Sequence, residues 1–247
     1  MLVKRAVQRV LLGIGLGRRY HFLESNVLEV RNLAMLQKAM GWTREPDLDF
    51  EHLRQYQFLE DLNDRRLRDA EVIASACCNG DPKVILEIGT ARGHSTALMA
   101  RNAPRATVYT VNIPPEEIAA GGDLVTAALD RTEIGSFYRE LGLGNVRQIL
   151  ANTAEWSPDF GPIDVAFIDG CHDADFVFSD TCKVLGRCRP GSLILWHDFS
   201  LRHTAVYHWI AAVCDGVERL YRKRRLRGPI LHLADSWVGL YRVPTTP

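Results

Sequence analysis

Residues Val84–Ala100 read VILEIGTARGHSTALMA. The first five are aliphatic apart from Glu87, and from Ser95 the apolar residues return at helical spacing. The pattern predicts a buried strand that runs into a helix through a short loop. Gly89 and Gly93 bracket that loop and let its backbone lie against a bulky ligand with no Cβ in the way. The loop is not G-x-G-x-x-G, because Ala91 stands where the second glycine would fall. It is not a P-loop either, since no Gly-Lys-Ser/Thr follows. Glu87 at the strand's end would repel phosphate and suits a cationic ligand, or one bearing amino and hydroxyl groups.

Outward from this stretch the same grammar repeats. Strands are predicted over 107–113, 146–150, 163–169 and 192–198, with helices over Ser95–Asn102, Ile134–Leu141, Asp173–Leu185 and Ala205–Cys214 between them. Pro190-Gly191 reads as the turn into the fifth strand, and 229–233 with 237–243 reads as a closing hairpin that adds an antiparallel strand at the sheet's edge. Alternating strands and helices mean a parallel sheet covered on both faces. The expected fold is therefore α/β: a doubly wound, mostly parallel, seven-stranded sheet with an antiparallel last strand. Residues 1–80 show no strand-like alternation and are expected to form an N-terminal helical cap before a second unit at 81–247. Asp49 is the expected N-cap of a helix through Phe58 and Leu62. A further helix over Arg65–Cys78 places Leu67, Ala70, Ile73 and Ala74 on one face and stops at Asn79-Gly80.

Bulk properties narrow the class. The 247 residues are 47% hydrophobic with a formal net charge of zero, so no global basic field argues for nucleic acid. The six cysteines form no C-x-x-C pair, which is expected of reduced thiols in a cytoplasmic protein. No apolar run reaches the ~20 residues of a transmembrane helix. In the N-terminal stretch Val3, Val7, Val10, Leu11 and Ile14 fall at helical spacing, with Lys4, Arg5 and Arg9 off that stripe. It reads as a helix docked on the domain or on a second copy in a homo-oligomer. The alternatives are peripheral membrane contact and a disordered start. The basic run at 221–228 reads as a solvated loop, or as a surface for anionic lipid or an acidic substrate.

Three stretches in order carry a resemblance. The [D/E]-x-G-x-x-x-G loop at Glu87–Gly93 resembles the first motif of class I S-adenosylmethionine-dependent methyltransferases. IDVAFIDGCHDADFVFSD (163–180) resembles the "DLVFIDGxHxYxxVxxD" segment of a small-molecule O-methyltransferase group, related to macrolide-sugar and cephalosporin-type methyltransferases. PGSLILWHDF (190–199) resembles that group's "PGGxxxxHDY". The resemblance spans 83–243 and implies a Rossmann-like fold with S-adenosylmethionine as cofactor. It implies that Glu87, Gly89 and Gly93 line the methionine end, with backbone groups of Thr90 and Ala91. Asn112 stands where an acidic residue usually meets the ribose, and Asn152 and Thr153 stand on the adenine side. The amide at Asn112 departs from the pattern and gives up one charge-assisted hydrogen bond.

Asp169, His172, His197 and Asp198 are the candidates for chemistry. Neighbouring parallel strands deliver their C-terminal ends to one crevice, so these side chains are expected to converge there. By resemblance Asp169, His197 and Asp198 hold Mg²⁺ or Mn²⁺, Asp169 also lies beside the cofactor, and His172 is the general base. The implied acceptor is a hydroxylated small molecule, a sugar or a glycosylated natural product among the options. Simpler readings stand beside these. Asp169 could merely cap the next helix, His172 could be an ordinary loop histidine, and His197 with Asp198 could orient backbone with no metal. The alternative function is a non-catalytic S-adenosylmethionine- or S-adenosylhomocysteine-binding protein on a methyltransferase fold.

Overall fold

The computed structural model describes residues 20–48, 64–120 and 129–245. The expected amphipathic helix at the N-terminus and the helix capped by Asp49 lie outside these residues. Among the described residues the chain begins with α1 (His21–Asn26), β1 (Val27–Val30), α2 (Leu33–Met40) and α3 (Asp64–Asn79). Then β2 (Val84–Ile88), α4 (His94–Asn102), β3 (Thr107–Asn112), α5 (Ser136–Glu140) and β4 (Val146–Leu150) follow. The last part holds β5 (Ile163–Ile168), α6 (Ala174–Leu185), β6 (Cys188–Trp196), α7 (His208–Arg222), β7 (Ile230–Leu233) and β8 (Gly239–Arg242).

One sheet runs in the order β1-β7-β8-β6-β5-β2-β3-β4. Every pair is parallel except those of β8 with β6 and with β7, so the last strand is antiparallel as expected. All six residues of β5 are buried, as expected of a strand covered on both faces. The period-2 alternation sorts the two faces. Ile85, Val108, Val165, Phe167 and Leu195 pack with Val72 and Ile73 of α3 and Ala97 and Ala100 of α4. Leu86, Ile88, Ala166, Ile168 and Trp196 pack with Val177 of α6 and Ile210, Val213 and Val217 of α7. Among the described residues no helix is long and apolar enough to cross a membrane, and none of the six cysteines forms a disulfide.

The structure departs from the sequence reading in four places. The sheet has eight strands, because Val27–Val30 pairs parallel to β7 at the edge. This four-residue strand lies next to two short helices and shows no alternation that a sequence window can register. The antiparallel β8 is consequently interior, between β6 and β7. Pro190-Gly191 lies inside β6, at a register shift against β5 between Ile163 and Val165, where a bulge accommodates both residues. Finally α7 starts at His208 and continues to Arg222, so the basic run opens inside the helix. Its cations then sit at a helix C-terminus, which the helix dipole favours.

The first turn of α1 has no local side-chain cap. Its orphan donors are satisfied from α7 instead: the buried Glu218 carboxylate accepts from Phe22 N at 3.1 Å and Leu23 N at 3.0 Å. Glu218→Ala should cost about 1–3 kcal/mol by stranding these groups. Arg222→Ala, which removes only an exposed partner of Glu218 at 3.7 Å, should cost less than about 1 kcal/mol. Chemical denaturation of the two variants checks the difference.

Candidate functional site

The loop between β2 and α4 is fixed from three sides. Glu87 is wholly buried and accepts hydrogen bonds from Ser95, Thr96 and Thr110. Burial pushes its carboxyl up to about 7 against the pull of those hydroxyls. Glu87 therefore holds the loop from beneath and does not reach the cleft, where resemblance had placed it. Thr90 is likewise turned inward, with its hydroxyl 2.6 Å from that of Thr110. Asn112 holds the loop from the side: its Oδ1 accepts from Ala91 N at 3.0 Å, and its Nδ2 donates to Ile113 O at 2.9 Å. The Ala91 N–H is thus engaged by protein.

Gly89 is the closest approach. Its φ is +102°, and a Cβ there would lie 2.0 Å from the carbonyl oxygen of Asp169. Only glycine lets the β2 loop meet the end of β5. At Gly93, φ +87°, a Cβ would instead meet the Tyr138 ring at 2.7 Å, so this glycine seats α4 against α5.

Two cavities open over the C-terminal strand ends. The smaller, about 130 Å³, is lined by Gly89, Ala91, Asn112, Asn152, Thr153 and Asp169, together with Cys171 and Phe176. The larger, about 550 Å³, is lined by Thr90, His94, Asp169, His172, His197 and Asp198, and by Arg65, Asp69 and Ile73 of α3. Gly89, Ala91 and Asp169 border both, so the two form one cleft with Asp169 at the junction. The structure thus brings six of the nine residues expected at the cofactor into the smaller cavity. Thr90 borders the larger one with its hydroxyl turned away, and Glu87 and Gly93 line neither.

At the loop after β4, the structure adds residues that the sequence reading passed over. Asn152 Oδ1 accepts from Ala154 N at 2.9 Å, folding the loop on itself. Thr153 donates to the buried Asp180 at 3.2 Å, and Lys183 donates to the carbonyls of Thr153 and Trp156. Asp180 and Lys183 lie on α6, so that helix sets the loop. The motif stretch ends on Asp180, which is the signal that could have singled it out.

The four chemistry candidates do converge. His172 Nε2 lies 3.0 Å from Asp198 Oδ2 and 3.7 Å from Asp169 Oδ1. His197 Nδ1 lies 3.0 Å from Asp169 Oδ1 and 3.6 Å from Asp198 Oδ2. Burial opposes charge on all four. Even so, the two histidines hold Asp198 and Asp169 below the usual carboxylate range, and the carboxylates raise His172 to about 9 and His197 well above its ordinary value. Asp198 also adopts φ +51°, a left-handed conformation that aims its side chain at the cluster. Asp169, His172 and Asp198 bring ligand-capable atoms within 4.8 Å of one another. Two carboxylates and an imidazole fit a hard divalent cation that keeps several waters. His197, the third expected ligand, lies beside this set, with its Nδ1 3.0 Å from Asp169 Oδ1.

A glycine loop at a first strand end, a split cleft over parallel strands and a carboxylate at their junction define a nucleoside-cofactor enzyme. Residues 86–199 match the family model of a methyltransferase domain, and with this fold they make a class I S-adenosylmethionine-dependent methyltransferase domain. Among solved structures the chain resembles the O-methyltransferase NovP, with 14% identity over 86% of this chain and 100% of that one, at a TM-score of 0.58. It resembles TomG from Streptomyces achromogenes, an O-methyltransferase involved in tomaymycin synthesis and solved in complex with S-adenosylmethionine (17% identity, 87% and 96% covered, TM-score 0.53). It also resembles the S-adenosylhomocysteine-bound methyltransferase PaMTH1 of Podospora anserina (18% identity, 85% and 92% covered, TM-score 0.51). At these identities the likeness concerns the fold. No curated protein matches the chain in sequence.

The buried Glu87 carries a pH signature. Its pKa rises from 4.5 to about 7 on folding, so the folded state binds the proton more tightly. The contribution to stability is full below pH 4.5 and is lost as pH rises through about 7. Glu87→Gln should remove this slope, worth at most about 3 kcal/mol. The stability difference between wild type and variant should therefore change between pH 5 and pH 8 (roughly the window of the shift). Parallel curves across that range would show that Glu87 folds with its carboxyl ionised.

Proposed function

We propose that the chain is an S-adenosylmethionine-dependent O-methyltransferase that methylates a hydroxyl of a small molecule, a sugar or glycosylated natural product being the class favoured by its motifs. The observation that carries this reading is the convergence of Asp169, His172, His197 and Asp198 at the junction of the two cavities. The smaller cavity suits the adenosine end of the cofactor and the larger one suits the acceptor. S-adenosylmethionine, when bound, supplies an electrophilic methyl group on a sulfonium.

The chain's own residues then have to hold the acceptor oxygen in line and take its proton. His172 is the proposed base. Its Nε2 faces Asp198 Oδ2 as an ion pair at 3.0 Å, and neither ring nitrogen has a geometrically formed hydrogen bond among the described residues. With Nε2 turned to the Asp198 carboxylate, Nδ1 is the proposed proton acceptor, an arrangement like the oriented histidine of a hydrolase triad. At a pKa of about 9, however, His172 is an imidazolium near neutrality. A divalent cation on Asp169 and Asp198, with His197 as the third proposed ligand, would draw off the carboxylate charge that sustains this imidazolium. It would also acidify an acceptor hydroxyl. The base and metal assignments therefore support each other electrostatically.

Calorimetric titration of EDTA-stripped protein with S-adenosylhomocysteine, repeated with Mg²⁺, tests the reading first. Binding with a Kd of roughly micromolar order is expected. No binding under either condition would favour the non-catalytic alternative, with Asn112 unable to hold the ribose. His172→Ala should leave that affinity nearly intact and lower turnover about 10²–10⁴-fold. Turnover equal to wild type would remove His172 from the base role, and loss of Mg²⁺ binding in the variant would make it a ligand instead. Wild-type kcat should rise with pH toward about 9 without metal, and Mg²⁺ should move that rise to lower pH. A profile that Mg²⁺ leaves in place would overturn the coupling.

A further inference from the structure

The four-residue cluster has a fifth member on a different part of the chain. Asp69 lies on α3, in the wall of the larger cavity, and is 6% exposed. Its two oxygens do separate work. Oδ1 accepts from Ser236 Oγ at 2.8 Å and Trp237 N at 2.6 Å, both in the turn between β7 and β8. Oδ2 faces Arg65 Nη1 at 3.3 Å and His197 Nε2 at 3.4 Å. Arg65 in turn lies over the Trp237 ring at 4.3 Å. The His197 ring thus spans from Asp69 on one side to Asp169 and Asp198 on the other.

We propose that Asp69 is a positioning residue for methyl transfer: it fixes the His197 ring and thereby the placement of Asp169 and Asp198. This rests on the proposed transfer chemistry at that cluster. A ring held at one nitrogen only can turn about its Cβ–Cγ bond, and its Nδ1 then leaves Asp169. Faced by Asp69 at Nε2 and by its ion-pair partner Asp169 at Nδ1, it is confined between α3 and the ends of β5 and β6. Outer partners of this kind commonly change ligand affinity or activity by about 10–100-fold when removed. The same carboxylate pins the β7–β8 turn, so the wall of the acceptor cavity and the reacting cluster share one anchor.

The two oxygens allow the anchoring and positioning roles to be separated. In Asp69→Asn the amide oxygen can stay on Ser236 and Trp237, which leaves the amide N–H₂ facing His197 Nε2. Ser236→Ala removes one bond from the other oxygen and leaves the His197 side alone. Two measurements on the full chain are decisive. The first is the ring ¹H–¹⁵N spectrum of ¹⁵N-histidine-labelled protein at one fixed pH, with and without S-adenosylhomocysteine. Asp69→Asn should displace the His197 ring signals, assigned with His197→Gln, and Ser236→Ala should leave them in place. The second is turnover, followed as S-adenosylhomocysteine release with a panel of catechols, phenols and glycosides as probes. Asp69→Asn should lower kcat by about 10-fold or more while KM for the probe changes by less than about 3-fold, and Ser236→Ala should keep kcat within about 2-fold. Unmoved His197 signals in Asp69→Asn, or kcat within 2-fold of wild type, would overturn the positioning role. Equal losses in both variants would make Asp69 a fold anchor only and would overturn it too. If the wild type transfers methyl to no probe, the O-methyltransferase reading fails by itself, and the ring spectra still decide whether Asp69 positions His197.

Discussion

The site depends on one contact: the backbone of Gly89 against the carbonyl of Asp169. A side chain at Gly89 would begin 2.0 Å from that oxygen, so the loop after β2 can pass the end of β5 at this point only with glycine. This meeting places Asp169 where both cavities open. The remaining parts keep the contact from relaxing. Glu87 is tied beneath the loop by three hydroxyls, and Asn112 holds the Ala91 amide from β3. A loop held at three points is preorganised, so little of a ligand's binding energy is consumed in ordering it.

Charge is the second constraint, and it follows from the first. Gathering Asp169 and Asp198 at adjacent strand ends places two carboxylates in a largely buried setting, where they would repel. His172 and His197 occupy the gaps and take the role of counter-cations. On the proposed metal reading, a divalent ion would replace this neutralisation only with release of protons, which would link metal affinity to pH. The left-handed backbone at Asp198 is explained in the same terms. It is a local cost that turns the carboxylate toward the histidines instead of continuing along β6.

Much of this could be read in the sequence, for a physical reason. Buried parallel strands are apolar runs, and the chemistry of such a sheet sits at their C-terminal ends. The stretches ending at Glu87, Asn112, Asp169 and Asp198 therefore announced both the fold and the cluster. What escaped were features made by long-range contacts. β1 is too short to show a period and exists because β7 offers it an edge. Asn112 was legible as a departure from an acidic pattern, but nothing local told that its amide would turn back to Ala91. Glu87 carried the motif correctly, yet its partners Ser95, Thr96 and Thr110 come from two other elements. Asp69 is a charged residue on an amphipathic helix, and no spacing links it to His197, 128 residues away.

The division of the cleft also explains why the comparisons name a class and leave the acceptor open. The matched domain covers 86–199, which holds the glycine loop, Asn112, the loop after β4 and the cluster. The wall of the larger cavity lies only partly within it: Leu48, Arg65, Ile73 and Trp237 come from before and after that span. Cofactor chemistry is common to a class and therefore leaves a shared pattern, whereas acceptor shape is particular to each enzyme. Arg65 and Asp69 project from α3 into the larger cavity and also contact the β7–β8 turn. On the proposed reading, acceptor choice and the placement of the reacting groups would meet on helix α3, because one packed helix face lines the larger cavity and reaches His197.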